Sequence, residues 1–226
     1  MEVVELDTSD RRQANEFLGL PFRLYEGVPQ WVPPLSSDAR RMLDRKRNPY
    51  YDQNQAVFYL ARDDSGQPLG RLAVLDNERY NRFNKERTAF FYLFECIQDL
   101  QAAQALFAAG RDWARERGLD RLIGPKGFTV FDGIGMLVKG FEHRPAFGLP
   151  YNLPYYPGLV EACGFQAAGE LVSGYLSAQT QFPARIHQMA DLIRQRRGLQ
   201  VLRFRTRRDL RKVIPRLKEL YNSSLA

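Results

Sequence analysis

Between residues 56 and 97 the apolar positions fall into three short runs, AVFYLARD (56–63), PLGRLAVLDN (68–77) and TAFFYLFECI (88–97). Each is rich in aromatic and branched residues and bounded by polar residues, so each predicts a strand. The Asp-Asp-Ser-Gly turn between the first two is a hairpin signal. NERYNRFNKER, before the third, has no apolar period and reads as a connection. After Ile97 the period changes. Leu100, Ala103, Leu106, Phe107, Gly110, Trp113 and Ala114 recur at helical spacing. They predict a helix from Asp99 to Gly118, with Asp99 as N-cap and Gly118 just past the end. DRLIGP (120–125) predicts a buried strand stopped by Gly-Pro. A long helix between two apolar strands predicts a crossover with those strands parallel or splayed.

The flanks carry weaker patterns. EVVELDT (2–8) reads as a first strand, and Ser9 or Asp10 as the cap of a helix with Phe17, Leu18 and Leu20 inside. Three prolines exclude regular structure from VPQWVPP (28–34). Leu35 to Leu43 reads as a short helix and NPYY (48–51) as a turn. Residues 126–148 form a long glycine-rich stretch, a length that often carries function. LPYNLPYYPGLVEACGF (149–165) sets prolines and tyrosines before a two-turn helix. Residues 166–179 read as one final strand, or two with a kink at Gly174.

The pattern restarts after Pro183. Ile186, Met189, Leu192 and Ile193 predict an amphipathic helix, LQVLRFRT a strand, and Thr206 with Asp209 a capping box. Leu210, Val213, Ile214, Leu217, Leu220 and Tyr221 mark a last helix containing Pro215. Strand, cap and a proline-bearing helix ending in Leu-Tyr also describe residues 3–25. This echo predicts a domain over residues 1–180, then a linker helix and the first strand and helix of a second, similar domain over 181–226.

Charge follows the same division. The net charge is +7, but from Pro183 onward there are 12 Arg or Lys against 3 Asp or Glu, and the rest is near neutral. A basic tail of this kind permits peripheral contact with an anionic membrane. Its basic residues are interleaved with a regular apolar pattern, no nucleic-acid motif is present, and no nucleic acid is expected as partner. No run is long and apolar enough to span a bilayer. The N-terminus lacks the basic and apolar regions of a leader. Cys96 and Cys163 fit no metal spacing, His143 and His187 are isolated, and no metal is expected. The expectation is a cytoplasmic protein with reduced thiols.

The element order, the close of the long helix in WARERG (113–118), and VEACGF (160–165) resemble the GNAT (acyl-CoA N-acyltransferase) superfamily. NPYY, FFYLFE, the Gly-Pro after the next strand, GMLVKGF and YNLPYYPGLVEACGF resemble a bacterial group built from two GNAT-like domains. The resemblance implies an α/β fold of the α+β mixed-sheet kind, a central twisted sheet flanked by helices. It also implies acyl transfer from acyl-CoA or acetyl-CoA to an amine.

Such enzymes seat the coenzyme A pyrophosphate on free N–H groups at the start of the long helix, where the dipole favours anions. The resemblance places that seat at Cys96, Ile97, Gln98, Gln101, Ala102 and Ala103. Gln98 and Ala103 match the motif. Gln101 replaces its glycine, and Asp99 brings a negative charge and a competing cap. The same strand often supplies the catalytic base, here Glu95 inside an apolar run. Desolvation there would raise its pKa toward that of a useful base; the alternative is a structural pair with Arg71. The superfamily's acid, a tyrosine four residues before Gly-Phe, is replaced by Val160. Tyr156, one turn earlier, either faces the same cavity or braces the turn. Phe128, Phe131, Asn152 and Tyr155 are the candidate substrate wall, with Phe147 and Tyr151 beside them. The leading expectation is an N-acyltransferase acting on a small-molecule or lipid amine. The alternatives are a non-catalytic lobe with a degenerate coenzyme site, or a surface-binding protein using the basic tail.

Overall fold

A computed structural model describes residues 1–129, 131–197 and 202–224. The chain divides into two compact units, Met1–Leu171 and Val172–Ala226. In the first, β1 (Glu2–Glu5), β2 (Gln55–Arg62), β3 (Pro68–Asp76), β4 (Thr88–Cys96) and β5 (Arg121–Ile123) form a sheet in that order. The first four strands are antiparallel, and β5 runs parallel to β4 along Thr88–Phe90 only. Five helices accompany the sheet: α1 (Arg11–Leu24), α2 (Ser36–Leu43), α3 (Glu78–Asn84), α4 (Leu100–Glu116) and α5 (Tyr156–Ala162).

The central strands are apolar throughout because both faces of the sheet are covered. Val57, Tyr59, Ala61, Leu72 and Val74 pack with Leu106, Phe107 and Trp113 of α4 and with α5. Ala56, Phe58, Leu60, Ala73 and Leu75 pack on the other face with Phe17 of α1, Leu43 of α2 and Phe128. Burying a side chain such as Phe107 contributes about 1.5–3 kcal/mol. A Cβ on Gly110 would lie 2.8 Å from Val74 Cγ2, so glycine lets α4 approach the sheet closely. Asp10 caps α1 and Asp99 caps α4 through their carboxylates. Gly118, at φ 71°, follows the end of α4.

NPYY, read as a turn, is one: a 3-10 turn over Pro49–Asp52, capped by Asn48. Three readings of the sequence are corrected. The connection before β4 contains α3, held by its own Asn77 cap and not by an apolar period. Residues 166–179 form no strand, and Leu171, Val172, Tyr175 and Leu176 are exposed. Strand propensity needs a neighbour to pair with, and β5 offers an edge of three residues. Of the strand expected before Thr206, residues 202–205 are not a strand, and residues 198–201 lie outside the described residues.

The second unit contains α6 (Ala184–Arg197) and α7 (Arg207–Ser224). Thr206 and Asp209 exchange hydrogen bonds ahead of α7, as the capping box predicts. Neither helix buries a residue. Among the described residues no helix is long and apolar enough to cross a membrane.

Candidate active site

A break in the alternation of β4 positions Glu95. Ala89 and Phe91 face α4, while Phe90 faces the α1 side. Leu93 then adopts a left-handed φ of 51°, and the β3–β4 register slips. That conformation costs a non-glycine residue about 1–2 kcal/mol. Beyond it the parity reverses, so Phe94 and Cys96 face α4. Glu95 is thereby turned to the α1 side, opposite Arg71 in the ladder. Without the bulge it would point into the apolar α4 core.

Four groups converge there. Glu95 Oε2 accepts from the Tyr25 hydroxyl and from the Tyr156 hydroxyl, each at 2.8 Å. Glu95 Oε1 lies 3.7 Å from Arg71 Nη2, an ion pair without a short hydrogen bond. Arg71 Nη1 donates to the Phe17 carbonyl at 2.8 Å, and its guanidinium lies 5.0 Å over the Phe17 ring. The Tyr156 hydroxyl also accepts from the Cys96 N–H at 3.1 Å. Burial raises the Glu95 pKa above the ordinary carboxylate value, opposed by Arg71 and the two phenols. Burial also raises both tyrosine pKa values, with the Glu95 charge adding to it. Both phenols are therefore protonated donors at neutral pH.

The Glu95 side chain is 13% exposed, and the exposure is toward one cleft. This cleft of about 500 Å³ is walled by α1, by Trp31 to Ala39, and by loop residues 131–136 and 147–152. Trp31 stacks on Tyr25 with ring centres 4.8 Å apart. The arrangement is an apolar pocket with a high-pKa carboxylate at its head. It can hold a cationic or hydrogen-bonding head group and take up a proton from it.

The predicted coenzyme seat does not fit a pyrophosphate. The Asp99 carboxylate already accepts from Gln101 N–H at 2.8 Å and Ala102 N–H at 3.1 Å. Ala103 N–H bonds to the Asp99 carbonyl, and Ile97 N–H to Leu69. Cys96 is engaged on both sides, its N–H by Tyr156 and its carbonyl by the Tyr155 hydroxyl at 2.7 Å. Two of the donors are thus held by a negative charge where the phosphate would lie. The side chain of Gln98 makes none of these contacts.

The wall residues separate. Phe131 lines the cleft. Asn152 also borders it, but its amide is spent on Leu137 N–H, Leu137 C=O and Leu153 C=O, so it braces the loop. Phe128 is not in the cleft. It is buried among Tyr50, Tyr51 and Phe58, because the chain after β5 folds back over that face. Tyr155 caps the β4 edge. Tyr25 was not anticipated as a site residue; its only mark in the sequence is the Leu-Tyr that closes α1.

The sheet order, the crossover α4 and the β4–β5 pair that parts after three residues agree with the GNAT-type fold that the sequence resemblance implies. No family model matches the chain. It is 26% identical over 216 residues to Protein YghO of Escherichia coli, covering 95% of this chain and 54% of that protein. It is 28% identical over 160 residues to the bacterial ceramide synthase of Caulobacter vibrioides, covering 70% of this chain and 41% of that one. The chain thus spans about half the length of the curated relatives it matches. Among solved structures it is similar to glucosamine-6-phosphate N-acetyltransferase of Arabidopsis thaliana, at 15% identity and TM-score 0.45 over 78% of this chain and 98% of that one. It is also similar to ribosomal-protein-alanine N-acetyltransferase of Brucella melitensis, at 16% identity and TM-score 0.42 over 78% and 99%.

Proposed function

We propose that the chain serves N-acyl transfer to an amine with a long apolar chain, and that Glu95 is the base. The observation that carries this reading is a buried carboxylate of raised pKa at the head of an apolar cleft. In this reading the ammonium group lies against Glu95, whose Oε2 is fixed by Tyr25 and Tyr156. Arg71 and the two phenols oppose the rise in pKa that burial causes, and in its ionised form the carboxylate takes the proton that must leave before nitrogen attacks an acyl carbonyl. The apolar wall receives the chain. The name of the Caulobacter relative, a ceramide synthase, supports an amine of the lipid class. The acyl group comes from a CoA-type thioester. The capped start of α4 is not its seat.

A second reading is favoured by that capped helix: a non-catalytic lobe that binds the amine while chemistry occurs elsewhere. We further propose that residues 181–226 begin a second copy of the fold. In both, a proline-bearing helix follows a capping pair, Asp10–Gln13 or Thr206–Asp209, and carries a Leu-Tyr toward its C-terminal end, Leu24–Tyr25 or Leu220–Tyr221. Calorimetric titration with dodecylamine and dodecanol tests the site. Dodecylamine should bind wild type more tightly than the alcohol, with the preference lost in Glu95→Gln. Equal binding of the two ligands would remove Glu95 from the reading.

A further inference from the structure

Five exposed large apolar side chains line the cleft described above: Phe22, Leu35, Phe131, Phe147 and Leu149, each between 47% and 80% exposed. They come from the end of α1, the entry to α2, and two turns of the long loop. Converging on a single opening, they are not the scattered apolar residues of an ordinary surface.

The rim is continuous with the buried carboxylate. Phe22 sets its edge against Trp31 at 5.1 Å, Trp31 stacks on Tyr25, and Tyr25 donates to Glu95. An aromatic path therefore runs from Phe22 at the rim to Glu95. The charged residues bordering the cleft are of both signs: Asp38, Arg40, Arg71, Glu95 and Asp132. They give no single-sign field to attract an oppositely charged partner. A near-neutral rim of phenylalanine and leucine matches the interfacial zone of a bilayer, into which such groups insert.

We propose that this rim seats the protein on a lipid bilayer, so that a long-chain amine passes from the membrane into the cleft with its chain shielded throughout. The proposal rests on the amine reading of the site but not on its chemistry. Insertion of apolar groups differs from adsorption through the basic second unit. It needs no anionic lipid and is not weakened by salt, whereas electrostatic adsorption needs both anionic lipid and low salt.

Flotation of the full-length protein with phosphatidylcholine vesicles, at low and high salt, tests this. The variants are Leu35→Asp/Leu149→Asp and Phe131→Asp at the rim, and Ile214→Asp/Leu217→Asp on α7. All these side chains are exposed, so melting temperatures should hold and certify folding. Wild type and the α7 variant should float at both salt concentrations. Each rim variant should partition about tenfold or more weakly. Rim variants that float like wild type would overturn the proposal. So would wild type floating only with anionic vesicles at low salt, or a rim-dependent dimer that ignores vesicles. Hexylamine, which needs no bilayer, separates the two readings. If it binds wild type while the rim variants fail to float, the amine site and the docking surface both stand. If it does not bind wild type but flotation is rim-dependent, the amine reading fails and the docking surface stands.

Discussion

The Tyr25 hydroxyl, at the end of the first helix, donates to Glu95 Oε2 at 2.8 Å. Tyr156 reaches the same oxygen at the same distance from α5. Two phenols on one carboxylate oxygen hold it rigidly and favour its charged form. Tyr25→Phe removes one donor and should raise the Glu95 pKa further, with a stability loss of about 1–2 kcal/mol. Tyr156→Phe should cost more, because it also strips the partner from the buried Cys96 N–H. Side-chain carbon NMR of Glu95 in each variant reads the first effect and thermal melting the second. An unchanged or lowered Glu95 pKa in Tyr25→Phe would show that the contact does not favour the charged form.

Arg71 is buried opposite Glu95 with its Nε unpartnered among the described residues. Removing one member of such a pair leaves the other desolvated and alone. Arg71→Met should therefore destabilise by about 3–5 kcal/mol, and Arg71→Met/Glu95→Leu by clearly less. Denaturant melts of the single and double variants decide it. Additive losses would mean that the pair is not energetically coupled.

Glu95 should also make stability depend on pH. Burial holds its folded pKa above the ordinary 4.5, so the native state keeps a proton that the unfolded chain has already released. That contribution is complete below the ordinary value and is lost as pH rises through the raised native value. Wild type should lose stability relative to Glu95→Gln across this window as pH increases. Parallel melting curves of the two proteins would place the carboxyl at its ordinary value.

Asp99 closes the start of α4. Asp99→Ala should cost about 1 kcal/mol of stability through the lost cap. It should also free the Gln101 and Ala102 N–H groups. Asp99→Ala/Gln101→Gly should bind coenzyme A about tenfold more tightly than wild type, since a repelling charge is removed and two donors are released. Calorimetry with coenzyme A measures the gain. No gain would mean that the cap is not what closes the seat.

The elements with strong local signals were legible in the sequence. β2, β3 and β4 are apolar runs between turns, and α4 has a cap, a stripe and a terminal glycine. α3 was not legible, because seven residues held by Asn77 need no stripe. The prediction of a strand over 166–179 failed because an apolar run does not reveal whether a neighbour will pair with it. At the site, Glu95 stood out as a charge in an apolar strand, and Arg71 was nameable as its partner. Which face Glu95 takes depends on the left-handed Leu93, and no residue type marks that. Tyr25 meets Glu95 only through the tertiary fold. Phe128 looked like wall because aromatic character does not distinguish a lining ring from a core ring.

The most direct measurement of the central claim is amide formation by the full-length protein from palmitoyl-CoA and a saturating long-chain primary amine, followed by mass spectrometry. Wild type should form the amide. Glu95→Gln, still folded by its melting curve, should form it about 10²–10⁴-fold more slowly. Amide formation at the same rate in both proteins would contradict the assignment of Glu95 as the base.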